Sequence, residues 1–173
     1  MKNEELQEVY EKAHRDGDFW SRGTRDITGL VLARTKWGQK AVLEIGCGDG
    51  FTARSIADLG GFVVAVDYAE EAISKAKKLN PHPRVRYLCR NTVDDFSPGF
   101  NVVVAQEILE HTDDPFLYLE VWASLLVPGG EMIVTCPSFL NPRGMIWMTL
   151  QTLLDVPMSL TDLHFIAPWQ MEE

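Results

Sequence analysis

The run Glu44-Ile45-Gly46-Cys47-Gly48-Asp49-Gly50 sets an acid before three glycines spaced two apart. Glycine there lets the backbone turn tightly and approach a ligand where a Cβ would collide. A helix predicted to open at Phe51 turns free N–H groups toward the same place, favouring an anionic group such as a carboxylate. This is the chemistry of a nucleotide-type cofactor loop. Farther on, Glu107 and His111 stand four apart, which would put both on one face of a helix. His111 and the later His164 are candidates for a general base, the alternative for each being a structural hydrogen bond.

The glycine spacing discriminates among cofactors. A dinucleotide loop reads Gly-x-Gly-x-x-Gly or Ala, its last position small so that helix and strand pack closely. Here the third glycine arrives one residue early, at Gly50, and Phe51 occupies the place of the last small residue. NAD is therefore disfavoured. No Gly-Lys-Ser/Thr follows, which excludes a phosphate-gripping P-loop. No set of His, Cys and carboxylate residues has metal-ligand spacing, so no metal is expected.

Alternating elements must hold this loop. Apolar runs predict strands over Val42–Ile45, Phe62–Val66, Val85–Cys89, Val102–Ala105 and Glu131–Thr135. Helices are predicted between them over Phe51–Leu59, Ala69–Leu79 and Pro115–Leu126, and before them over residues 3–15 and Thr24–Lys36, the latter closed by Gly38. Residues 18–23 read as a loop carrying Phe19 and Trp20. Near-continuous apolar strands suit a mainly parallel sheet covered by helices on both faces, a doubly wound α/β domain. Ligands in that architecture sit beyond the carboxyl ends of the strands.

Composition narrows the partners. The chain has 173 residues, 46% hydrophobic and 24% charged, with a formal charge of −9. That is the size of one globular domain, and its sign argues against nucleic acid. Cys47, Cys89 and Cys136 are odd in number and far apart, as in reduced cytoplasmic thiols. The acidic start is no signal peptide, and no apolar run is long enough to span a bilayer.

Four ordered segments resemble the class I S-adenosylmethionine-dependent methyltransferases. Glu44–Gly50 is similar to their first motif, and Val64-Ala65-Val66-Asp67 to their second strand with its terminal acid. Gln106-Glu107-Ile108-Leu109-Glu110-His111-Thr112-Asp113-Asp114-Pro115 resembles the E-x-L-E-H-x-x-D-P segment of one subgroup. Leu126-Val127-Pro128-Gly129-Gly130-Glu131 resembles the turn that leads into the fifth strand. The resemblance covers residues 40–137 and is nearest to the ubiquinone-biosynthesis O-methyltransferases and related small-molecule enzymes.

It implies a Rossmann-like methyltransferase fold with S-adenosyl-L-methionine as cofactor and S-adenosyl-L-homocysteine as product. It also implies cofactor contact from Gly46, Cys47, Gly48 and Gly50. Glu44 would hold the methionine amino group, directly or through water, and Asp67 the ribose hydroxyls, for which a two-oxygen anionic acceptor is suited. The bland reading of Asp67 is an N-cap for the following helix. Tyr68 would lie against the adenine or simply be an exposed aromatic. Asn91, Thr92 and Val93 follow the third strand, where the family usually has an Asp for the adenine amino group. Asn91 can still accept a hydrogen bond there, and Asp94 and Asp95 are its rivals. Gln106 would pack on the methionine portion. Arg25 would meet the cofactor carboxylate, with Arg22 as its rival.

The expected organisation is a helical cap over residues 1–38, the cofactor core over 40–137, and an acceptor region over 138–173. The nearly uncharged Met145–Leu154 stretch reads as a lid helix or as a surface touching a membrane or a lipophilic acceptor. The family's last two strands find no place in this length: either the chain is a truncated piece, or it is a minimal variant whose exposed sheet edge would invite pairing with a second chain as a homodimer. The function expected is methyl transfer to O or N of a small-molecule acceptor, against a non-catalytic cofactor-binding scaffold.

Overall fold

The computed structural model describes residues 12, 21–137, 142–154, 164 and 166. The predicted helix over residues 3–15, together with Phe19 and Trp20, lies outside them. Five strands, β1 (Ala41–Ile45), β2 (Phe62–Asp67), β3 (Val85–Cys89), β4 (Phe100–Gln106) and β5 (Leu126–Thr135), form one parallel sheet in the order β3-β2-β1-β4-β5. Helices α1 (Ser21–Leu32), α2 (Phe51–Asp58), α3 (Glu70–Leu79), α4 (Pro115–Ser124) and α5 (Pro142–Leu154) accompany it. The chain winds outward from β1 through α2 and α3, then returns to β4 on the other side. The switch point is thus between β1 and β4.

Strand periodicity divides the core in two. Val42, Val63, Ala65, Val102 and Val104 face one way, under Val31 of α1, Ala53 and Ile56 of α2, and Ile73 and Ala76 of α3. Leu43, Ile45, Val66, Val103 and Ala105 face the other, under Trp122 of α4. Local chemistry supports the helix ends. Asp114 accepts the backbone N–H groups of Phe116 and Leu117, each at 3.1 Å, with Pro115 in the first turn of α4. In α3, Glu70 and Glu71 open the helix and Lys77 and Lys78 close it, matching its dipole.

Several boundaries differ from the sequence expectation. Helix α1 begins at Ser21, inside the predicted loop, and stops at Leu32 rather than Lys36. The Trp37 indole N–H donates to the Leu32 carbonyl at 2.9 Å and satisfies that end, so Gly38 is not the terminator. The Pro128-Gly129-Gly130 turn lies inside β5. Phe100 pairs with Leu126 but Val102 pairs with Glu131, so the residues between bulge out of the ladder, with Gly129 at φ 78°. Helix α5 forms as expected, and its Met145, Ile146, Leu153 and Leu154 are exposed.

Candidate functional site

The glycine loop follows β1, and the surroundings of its glycines fall into two kinds. All three have left-handed backbones, with φ 70° at Gly46, 52° at Gly48 and 79° at Gly50. A Cβ on Gly46 would run into the Ile108 side chain, and one on Gly50 would lie 2.6 Å from Tyr87 Oη and 2.9 Å from Ala76 Cβ. Those two glycines serve the protein's own packing. A Cβ on Gly48 would meet nothing within 4 Å, so Gly48 alone borders open space. Tyr87 Oη braces the loop from β3, 2.7 Å from the Asn80 carbonyl and 3.2 Å from that of Gly50. The Asn80 side-chain amide donates to the Asp49 carbonyl at 2.8 Å.

The acids meet at this loop. Asp67, 8% exposed, accepts the Gly48 N–H on Oδ2 and the Ala69 N–H on Oδ1, both at 2.9 Å. Ala69, not Asp67, is the N-cap of α3, which corrects the capping alternative: Asp67 holds the turn before the helix. A carboxylate oxygen can accept more than one hydrogen bond. Glu44 is 3% exposed, and its Oε2 is enclosed without a hydrogen-bond partner. Burial first, then the negative charges of Asp49 and Asp67, push its carboxyl up to about 8, against the pull of the Ala53 backbone N–H. Glu44 is thus no solvated surface carboxylate.

Alternation along the strands puts these groups on one face. Glu44 lies two residues after Val42, Asp67 two after Ala65, Gln106 two after Val104 and Thr135 two after Ile133, all on the α2–α3 side. The carboxyl ends of β2, β1, β4 and β5 thus carry a polar row. Both polar atoms of the Gln106 amide, and Thr135 Oγ1 beside it in register, are enclosed without partners. Orphaned buried polar groups cost stability and point to a partner.

The remaining candidates are sorted by burial. Cys47 takes its place through backbone, donating its N–H to the Val66 carbonyl at 2.9 Å, while its thiol is buried in the core and pushed well up by burial. Tyr68 is half-buried directly beyond Asp67, with its carbonyl facing the Cys89 thiol at 3.6 Å. The Arg90 N–H donates to the Asp67 carbonyl, bringing the segment after β3 to the same end of the sheet. There Asn91 and Thr92 are exposed, Thr92 Oγ1 accepts the Asp94 N–H, and the Val93 side chain belongs to the opposite core. Asp95 is engaged by Arg90 at 2.8 Å, which weakens it as a rival of Asn91. The Arg25 guanidinium lies 5.2 Å from the centre of the Phe51 ring, next to the loop, whereas the Arg22 side chain lies outside the described residues.

The histidines converge on an acid that the sequence reading passed over. Glu107 has φ 53° and precedes a single 3-10 turn, Leu109–His111, so Glu107 and His111 do not share a helix face. The left-handed residue turns the chain off β4 while its N–H donates to the Thr135 carbonyl at 3.0 Å. Glu110 is 1% exposed, and its Oε1 lies 3.8 Å from His111 Nε2. The His164 N–H donates to the Glu110 carbonyl, and His164 Nε2 is enclosed without a partner. Burial, with Glu110 and Glu107 nearby, pushes the Cys136 thiol up to about 12. Asp49, Glu110 and Thr135 are the site residues missed. Asp49 and Glu110 stood within the quoted motifs, whereas Thr135 looked like an ordinary strand residue.

Among the described residues, no three His, Cys, Asp or Glu side chains group as a metal site. No helix there is long and apolar enough to cross a membrane. All three cysteines are free thiols.

Residues 43–132 match the family described as "Methyltransferase domain". The chain is 34% identical over 110 residues to the ubiquinone biosynthesis O-methyltransferase of Xanthomonas axonopodis pv. citri, a match covering 61% of this chain and 46% of that protein. It thus spans about half the length of the curated relatives it matches. Among solved structures, the complex named DhpI-SAM-HEP aligns with TM-score 0.67 and 21% identity over 89% of this chain and 72% of that one. The [4+2]-cyclase SpnF aligns with TM-score 0.60 and 22% identity over 68% and 46% of the two chains. These structural likenesses show the Rossmann-like fold, and the second shows that this fold does not by itself dictate one reaction.

Proposed function

The chain belongs to the methyltransferase-domain family, and on that basis we propose that it transfers a methyl group from S-adenosylmethionine to an oxygen or nitrogen of a small-molecule acceptor. The observation that carries this reading is the juxtaposition at the loop: Gly48 facing open space, Asp67 clasping its N–H, and Glu44 buried with an orphaned oxygen. An amine-bearing nucleoside fits that set. Asp67 has lone pairs for a ribose diol, and Glu44 supplies charge and an acceptor for an ammonium group.

When bound, S-adenosylmethionine would supply a methyl group activated by its sulfonium: the acceptor's lone pair attacks that carbon in line, the S–CH3 bond breaks, S-adenosylhomocysteine leaves, and the acceptor's proton passes to a base or to solvent. The protein's part is mainly positioning. Gly46, Gly48 and Gly50 would let backbone come against the ligand, Asp67 would take the ribose and Glu44 the amine, and Gln106 would pack on the methionine portion. Arg25 would meet the carboxylate from α1, and Tyr68, Asn91 and Thr92 would lie against the adenine. His164 is the better placed general base, because its enclosed Nε2 lacks a partner, while His111 braces Glu110. The name of the Xanthomonas relative supports an oxygen acceptor, and the free thiols support a reducing, cytoplasmic setting.

The test is incubation with isotopically methyl-labelled S-adenosylmethionine and a panel of catechols, phenols and amines, read by mass spectrometry. Label appearing in an oxygen- or nitrogen-bearing product supports the reading. Binding of S-adenosylhomocysteine with no transfer to any acceptor would favour a scaffold.

A further inference from the structure

The protein serves the Glu44 carboxylate poorly. Glu44 lies below the glycine loop at the end of β1, enclosed, with Oε2 unpartnered. Asp49 from the loop and Asp67 from β2 act on it, both of its own sign. The Cys47 thiol and the Tyr87 phenol of β3 face the same cluster, and Glu44 disfavours ionisation of each. From α2 come the Ala53 N–H, which favours the anion, and Arg54, which acts on Tyr87 and pairs with Asp58 at the surface. From β4 comes the uncharged Gln106. An enclosed carboxylate beside two others, with no cation acting on it among the described residues, holds a proton more cheaply than a charge.

We propose that the Glu44 carboxyl is protonated near neutral pH in the ligand-free protein and releases its proton as a cationic, amine-bearing ligand seats against it, so that donor binding and proton release are one event. The O–H bond of the carboxyl breaks, the proton passes to solvent, and the ligand's ammonium N–H donates to the freed oxygen. The inference rests on the reading that S-adenosyl ligands bind at this loop. Affinity should then rise by up to about tenfold per pH unit below the carboxyl's midpoint and level off above it.

The test uses S-adenosylhomocysteine, which carries the same amine, in isothermal titration at pH 7 in phosphate, HEPES and Tris. These buffers differ in ionisation enthalpy. The expected result is a linear dependence of the observed enthalpy on that quantity, with a slope of about one proton released. Glu44→Gln should bind more weakly with a slope near zero. A carboxylic-acid C=O band in the infrared spectrum should vanish when the ligand is added to the natural protein. Binding with zero slope, or a slope that survives Glu44→Gln, overturns the inference and leaves the cofactor reading standing. Failure of the natural protein to bind S-adenosylhomocysteine overturns both. The buffer series and the infrared band need no variant, so poor folding of Glu44→Gln would not blunt the test.

Discussion

Asp67 Oδ2 accepts the backbone N–H of Gly48 at 2.9 Å, joining the end of β2 to the loop that leaves β1. The same carboxylate takes the Ala69 N–H on its other oxygen, so one side chain fixes the loop and the entry to α3 together. Its role is therefore structural, beside the ribose-binding role proposed for it. Charged hydrogen bonds of this kind are each worth about 1.5–3 kcal/mol. Asp67→Ala should weaken S-adenosylhomocysteine binding by at least about 10–100-fold and also lower the melting temperature. Asp67→Asn, which keeps one acceptor oxygen, should fall between. Titration calorimetry paired with thermal melts checks both effects, and unchanged binding in Asp67→Ala would remove the cofactor assignment.

The three glycines should separate by variant. Gly50→Ala drives a Cβ against Tyr87 Oη and Ala76, and Gly46→Ala drives one into Ile108, so both should unfold at lower temperature. Each adds a left-handed penalty of roughly 1–2 kcal/mol to the overlap. Gly48→Ala carries only that penalty and should fold. Gly48→Arg should also fold but fail to bind S-adenosylhomocysteine, because its side chain fills the space the glycine leaves. Circular dichroism and titration together distinguish packing loss from ligand loss.

Glu44 gives stability a pH dependence of definite sign. Its carboxyl stands at about 8 in the folded chain against 4.5 unfolded. Between those values the folded state holds a proton that the unfolded state has lost. The stabilisation is fully present below 4.5 and is lost as pH rises through the folded value. Melting temperature should therefore decline across that window and then level. Glu44→Gln, uncharged throughout, should remove this component, narrowing the difference between pH 5 and pH 9 by about 2–4 kcal/mol. Parallel melting curves of the two proteins across that range would contradict this.

The two histidines should differ. His111→Ala removes the imidazole beside the buried Glu110 and should cost about 1–3 kcal/mol of stability with S-adenosylhomocysteine affinity unchanged. His164→Asn should slow methyl transfer by roughly 10²-fold or more at saturating S-adenosylmethionine without changing that affinity. Stability loss in His164→Asn with an unaltered rate would return His164 to a structural role.

Among the described residues, strand β5 lies at one edge of the sheet, and its Met132, Ile133 and Val134 are half-buried. An apolar edge of this kind invites pairing. Size-exclusion chromatography with light scattering should give a mass of about twice 19.5 kDa. A monomeric mass at tens of micromolar would argue that the edge is not used between copies.

Local rules made much of this protein legible from residues alone. Apolar runs bounded by glycine and proline placed the strands, whereas the pairing register of β2, β1 and β4 put Glu44, Asp67 and Gln106 on a common face. The early third glycine at Gly50 with Phe51 behind it separated this loop from a dinucleotide loop, because both features act through neighbouring backbone. Contacts between residues distant in sequence settled the rest. Helix α1 ends at Leu32 because Trp37 folds back to its carbonyl, and Glu107 turns left-handed because its N–H must reach Thr135 across the sheet. Thr135 enters the polar row only through its register with Gln106, which no local pattern announces. The amino-acid order determined that an acid precedes the glycine loop. The burial of that acid beside Asp49 and Asp67, with no cation acting on it among the described residues, came from packing β1 between β2 and β4 under α2, and that enclosure turns an ordinary carboxylate into one that can hold a proton.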